Sequence, residues 1–165
     1  MTHPPRLSLD LNARAAYLRL NDPATLADMR QLWPLIEKPL THVLDTFYAH
    51  VGAQPELAPM FRGRDIATIK NAQFAHWKGI FLHGFDTDYE ARVTRIGMAH
   101  AKIGLGPRWF FGAYCLVLNE LGPKIGKALG CRGFLQGRAA HLVKIFQRVV
   151  FMDMDAIYAV YEHLT

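Results

Sequence analysis

The run Arg95-Ile96-Gly97-Met98-Ala99-His100-Ala101-Lys102-Ile103-Gly104-Leu105-Gly106-Pro107-Arg108-Trp109-Phe110-Phe111-Gly112-Ala113-Tyr114 decides how the rest of this chain is read. Val93, Ile96, His100 and Ile103 are spaced by 3, 4 and 3 residues, so they share one stripe of a helix. Gly104-Leu105-Gly106 breaks that helix, and Pro107 has the fixed φ that suits the first position of the next. An imidazole therefore projects from the apolar face of a helix. Two readings stay open for it: a core histidine satisfied by a backbone carbonyl, or a ligand that grips a planar cofactor through Nε2. Gly97 and Gly104 lie beside the stripe, each costing a helix about 1 kcal/mol relative to alanine. That cost favours a flat, bulky object pressed against the face.

Outward from this run the periodicity stays helical, with neither strict alternation nor an Asn-Gly or Asp-Gly hairpin signal. Breakers divide the chain into about seven segments. A short helix over Asp10 to Leu20 precedes Asp22, a capping residue, with Pro23 at the first helical position. One helix then runs to about Pro34, and another from about Leu35 to Val51. A turn covers Pro55 to Phe61, and helices follow over Asp65–Leu82, Asp86–Ile103, Pro107–Leu129 and Phe134–Leu164. In the last two, Leu116, Leu118, Leu121, Ile125 and Leu129 cannot all face one core. Nor can Leu142, Ile145, Phe146, Val149, Val150, Met152 and Met154, so this surplus predicts a homodimer surface. The final helix lacks a terminating Gly or Pro, which reads as a module cut from a longer protein.

At 165 residues, 51% hydrophobic and 20% charged, the chain has the makings of a single domain over residues 1–165, with 1–9 disordered. The formal charge of +5 is scattered without a Lys/Arg run, which argues against a nucleic-acid partner. Cys115 and Cys131 form no CxxC motif; one disulfide between them is allowed and nothing requires it. The longest apolar stretch, Trp109 to Leu118, is half of a membrane span, and the first twenty residues offer no signal-peptide core. The expected setting is soluble and cytoplasmic, with no membrane partner. No HExxH, GxSxG, GxGxxG or P-loop is present. Tyr48 follows Phe47 on a helix with Leu44 at i−4 and Val51 at i+3, and a buried phenol there needs a hydrogen-bond partner. His76, two turns beyond Ile69, is placed to line an inner pocket or compete for a metal. His42, His50 and His141 read as surface or satisfied core, and His83 as a partner for a helix C-terminus.

The Arg95–Tyr114 run closely resembles the signature of the sensor globins, the haem domains of bacterial globin-coupled sensors and their stand-alone relatives. Lys70, Gln73, Trp77, Phe81, Gly84-Phe85-Asp86 and Tyr89 before it extend the resemblance over about Thr41 to Leu121. The resemblance implies an all-α, globin-like helical sandwich with an extra short N-terminal helix and no well-defined helix in the Pro55–Gly63 corner. It implies haem b, with His100 as the iron ligand and Tyr48 as the distal tyrosine. Ile69 lies over the iron with Ala72 one turn on, and Phe47, Phe74, Phe81, Ile103 and Trp109 complete the cofactor site. No carboxylate stands at i−3 or i−4 of His100, so the Ile96 carbonyl is the expected acceptor for its Nδ1–H. The distal-helix candidates are apolar, leaving Tyr48 as sole donor to bound ligand.

The functional expectation is a non-catalytic gas-sensor domain that binds O2 reversibly, with CO and NO as further ligands. It would act as a homodimer through the last two helices and regulate a C-terminal output such as a diguanylate cyclase. The alternative is a stand-alone globin with NO dioxygenase or other O2-handling activity. A third possibility is a helical adaptor without cofactor, which a colourless folded preparation would favour.

Overall fold

The computed structural model describes residues 9–130 and 137–164. Among them the regular structure is helical: α1 Leu11–Tyr17, α2 Thr25–Gly52, α3 Ile66–His83, α4 Thr87–Lys102, α5 Pro107–Ala128 and α6 Gly137–Glu162. The boundaries follow local chemistry. Asp65 caps α3 by accepting from the Ala67 and Thr68 amides, and Asp86 caps α4 by accepting from the Tyr89 amide. Gly84 closes α3 at φ 78°, and Gly104 follows α4 at φ 66°, conformations in which a Cβ is strained. Pro107 occupies the first turn of α5 as the sequence predicts. In the Pro55–Gly63 corner there is one turn of 3-10 helix, Ala58–Phe61.

The two helices expected around Pro34 and Pro39 are one, α2, with both prolines inside it. Each proline removes one intrahelical donor. The buried positions Leu32, Trp33, Ile36, Leu40, Val43 and Leu44 nevertheless continue at helical spacing across both. Packing of that stripe against α3, α5 and α6 outweighs the local penalty. Asp22 also acts differently from expectation. Its carboxylate accepts from the Ala24 amide, so it closes the turn before α2, which begins at Thr25.

Helix α6 runs through the middle of the molecule and packs against α1, α2, α4 and α5. Leu142, Ile145, Phe146, Val149, Val150 and Met152 are all buried within the one chain, and Met154 is packed against the same core. The expectation that they could not share a core is thereby corrected: a central helix buries several faces at once. On α5, Leu121 and Ile125 are buried and Leu116 is 40% exposed. Aromatic rings knit the layers, Trp33 stacking on Phe81 at 6.5 Å and Phe81 on Phe146 at 6.2 Å. Charged ties reinforce them. Asp28 of α2 meets Arg138 and His141 of α6, each at 2.6 Å, and Arg14 of α1 pairs with Asp155. Leu9, expected in a disordered stretch, is buried at 2% exposure. Residues 1–8, Cys131 and the expected start of the last helix at Phe134 lie outside the described residues.

Candidate functional site

A cavity of about 420 Å³ opens between α2, the Pro55–Gly63 corner, α3, α4 and α5, with α6 as its floor. That volume is in the range of ligand and cofactor sites. Apolar side chains make up most of the wall, and the polar groups are few and convergent.

On one side α4 presents His100. Its Nδ1 lies 2.9 Å from the Ile96 carbonyl oxygen one turn back, so Nδ1 carries the proton and donates. The remaining nitrogen, Nε2, then holds a lone pair on a ring that borders the cavity. Burial lowers the His100 pKa, opposed in part by the Ile96 contact and by the Asp153 carboxylate. The ring is thus held neutral, the form that binds a metal. Phe110 meets it edge-on at 5.5 Å and fixes its plane. The expected carbonyl acceptor is the one observed.

From α2, Tyr48 also lines the cavity. Its hydroxyl donates to Gln73 Oε1 at 2.8 Å, and its ring packs edge-on against Phe47 and Phe61. Burial pushes the phenol up to about 12, so it keeps its proton and stays a donor. Gln73 lines the cavity, so the reading of the α3 candidates as wholly apolar is corrected. The cavity face of α3 carries an amide as well as Ile69 and Ala72, because position 73 is i+4 from Ile69 and shares its stripe. That signal was present in the spacing.

Of the expected site residues, His100, Tyr48, Ile69, Ala72, Phe47, Ile103 and Trp109 all line the cavity. Phe74 and Phe81 do not. Phe74 lies edge-on to Trp33 at 5.5 Å, and Phe81 is in the stack between Trp33 and Phe146, so both turn to the core beneath. The glycine argument is also corrected. A Cβ on Gly97 would fall 2.6 Å from Val160 Cβ and 3.0 Å from the Ile157 carbonyl oxygen of α6. Gly97 thus permits a helix–helix approach, and Gly104 serves the left-handed turn.

Two features escaped sequence reading. Arg64 lines the cavity at its exposed edge, and the mid-helix Asp153 of α6 lines its floor, 2% exposed. His76 also borders the cavity and pairs with Asp153 at 2.8 Å. His141 pairs with Asp28 of α2, while His42 and His50 are exposed. His83 lies in the last turn of α3. Among the described residues no group of three or more His, Cys, Asp or Glu side chains could hold a metal ion by itself, and no helix is long and apolar enough to cross a membrane.

The neutral His100 imidazole, with Nε2 uncommitted on the wall of a largely apolar cavity, fits haem better than a bare ion, since the porphyrin supplies four of the ligands itself. Residues 7–164 match the family model described as Protoglobin. Over 95 residues the chain is 30% identical to a "Heme-based aerotactic transducer HemAT" of Halobacterium salinarum, which covers 56% of this chain and 19% of that protein. The chain therefore spans about a fifth of that curated relative. A solved structure, the globin domain of a Geobacter sulfurreducens globin-coupled sensor, superposes with a TM-score of 0.76 at 20% identity. That match covers 91% of this chain and 96% of the other, and it shows the globin fold.

Proposed function

Because this chain belongs to the protoglobin family, we propose that it is a haem-based gas-sensor domain that carries haem b on His100 and binds O2 reversibly. One observation carries the reading: the His100 ring borders an apolar cavity with its proton committed to Ile96 O, leaving Nε2 to bind iron. The name of the Halobacterium relative, a haem-based aerotactic transducer, supports it. When bound, the haem supplies the ferrous iron that takes O2, CO or NO.

The chain's own residues set the conditions. Carbonyl-bonded His100 is an uncharged, moderately electron-donating ligand, unlike the carboxylate-backed histidine of peroxidases, and this favours reversible binding over oxygen-atom chemistry. Phe47, Ile69 and Ile103 give the cavity apolar walls that would keep water from the haem. With haem in place, Tyr48 would be the hydrogen-bond donor toward the gaseous ligand. To donate it must release Gln73, so Gln73 holds the phenol in its ligand-free position and offers its amide as a second donor. Arg64 is the cation placed at the cavity edge for a haem propionate.

With haem bound, a change at the ligand would reach α4 through His100 and α2 through Tyr48. Both helices contact α6 directly. The output would be a following signalling module, such as a diguanylate cyclase, in a cytoplasmic homodimer. Phe111, Leu116 and Phe151, 40%, 40% and 49% exposed on α5 and α6, are the side chains available for the second copy. Visible absorption spectra of the purified protein, ferric, ferrous and under O2 and CO, test the proposal. Substitution of His100 by Ala should abolish the five-coordinate ferrous spectrum, and retention of that spectrum would refute the assignment.

A further inference from the structure

Asp153 is a buried carboxylate at the junction of four helices. Its Oδ1 lies 2.8 Å from His76 Nε2 of α3 and 3.3 Å from the Tyr89 hydroxyl of α4. Its Oδ2 lies 2.9 Å from the Tyr114 hydroxyl of α5. Both phenols are held well above the ordinary tyrosine value, first by burial and then by this carboxylate, so each keeps its proton and donates it. A carboxylate that accepts from every side is the ionised form.

That charge has no cation beside it. His76 gives a hydrogen bond through Nε2–H, and its Nδ1 is buried without an acceptor for a further proton. Among the described residues no lysine or arginine pairs with Asp153. Arg92 of α4 acts on Tyr89 without bonding the carboxylate, and Asp155 acts on the same phenol with the opposite sign. A carboxylate taken out of water is costly unless donors and an opposite charge compensate it. The donors are present, and Asp153 also lines the cavity, where a positive charge would complete the compensation. Its field already reaches the proposed ligand. At His100 burial is the larger effect and disfavours a charged ring, while the Ile96 contact and the Asp153 charge oppose it. Whatever binds to His100 Nε2 stands in the same field.

Haem has no net charge at ferrous iron and one net positive charge at ferric iron, because the porphyrin supplies two negative charges. We propose that Asp153 is the counter-charge of the haem iron, a tuning residue and not a ligand, which favours the ferric state of haem held on His100 and so lowers its reduction potential. The inference rests on the haem reading above. No bond forms or breaks at Asp153. The electron reaches the iron from an external reductant, and the carboxylate acts on that equilibrium through space, where a low dielectric strengthens it. Tyr89, Tyr114 and His76 hold the carboxylate in place and draw off part of its charge, so each donor moderates the effect.

The test is a redox titration of the haem-loaded protein with dithionite and mediator dyes, read in the haem absorption band. Asp153→Asn keeps the shape and removes the charge. It should raise the ferrous-to-ferric ratio at a fixed potential roughly tenfold or more, an upward shift of at least about 59 mV for a one-electron couple. Tyr114→Phe keeps the charge and removes one donor, so its potential should fall below that of the wild type. A purely structural role for the cluster would move both variants the same way. A potential that does not rise in Asp153→Asn, or does not fall in Tyr114→Phe, would overturn the assignment, and the second variant decides alone if the first does not fold. Normal wild-type haem bands with either of those results sink the Asp153 role by itself; a wild type without a haem band sinks the haem reading with it.

Discussion

The hydroxyl of Tyr48 has one proton, and in the ligand-free pocket it is given to Gln73. On the proposed reading, ligand strength would be a competition between the Gln73 carbonyl and the ligand for that one proton. A phenol hydrogen bond to the partly negative ligand contributes about 1–3 kcal/mol. Tyr48→Phe should accordingly speed O2 release roughly tenfold while leaving CO release nearly unchanged, read by stopped-flow displacement; an unchanged O2 rate would remove Tyr48 from the ligand's surroundings. Gln73→Leu frees the phenol and should slow O2 release if the latch dominates. A faster rate in that variant would show instead that the Gln73 amide is a second donor. At this scale the sequence was legible where chemistry and period coincide. His100 on an apolar stripe and its Ile96 acceptor could be read directly. Gln73 could have been found by the same counting, since it shares the Ile69 face. Asp153 could not, because an acidic residue in the middle of an amphipathic helix gives no local sign of three donors converging from other helices.

Helix ends were written in capping residues: Asp65, Asp86, Gly84, Gly104 and Pro107 all act where the sequence placed a boundary. Interior prolines misled, because Pro34 and Pro39 carry a local breaking signal that the long buried stripe of α2 overrides. Gly97 misled in another way. A small residue tells that something comes close but not what, and here it is Val160 of α6. A methyl at that position meets Val160 Cβ at 2.6 Å, and backbone carbonyl Ile157 O at 3.0 Å cannot yield as a flexible side chain would. Gly97→Ala should therefore destabilise the domain by about 1–3 kcal/mol through overpacking, measured as a lower denaturation midpoint. Since His100 is on the same helix three residues on, the variant should also disturb the ferrous spectrum. A midpoint equal to wild type would mean that α4 and α6 are less tightly seated than described.

Across the whole molecule, α6 explains both what was legible and what was not. Its apolar surplus was read as a dimer face, whereas most of it is core, and the candidate contact shrinks to Phe111, Leu116 and Phe151. Leu116→Glu with Phe151→Glu should convert a dimer to monomer in sedimentation analysis with the haem spectrum intact; monomer in the wild type would remove that part of the proposal. Charge couples the fold to pH with one sign. Burial pushes the Asp28 carboxyl up, but hydrogen bonds from His141 and Arg138 outweigh it and hold the group below 3.8. His100 is held below 6.5, chiefly by burial. In both cases the unfolded chain takes the proton first as pH falls, so stability is full above the unfolded value and is lost below it. The haem-free domain should therefore lose denaturant resistance as pH drops below about 6.5, and again below about 3.8. A midpoint flat from neutrality to about pH 5 would contradict the neutral, buried state of His100. The central claim is that this one imidazole binds haem iron, and the ferrous absorption spectrum tests it most directly. The account predicts a five-coordinate high-spin spectrum that converts reversibly under O2 and is lost in His100→Ala; a wild-type protein that folds yet takes up no haem, or an alanine variant with an unaltered spectrum, would contradict it.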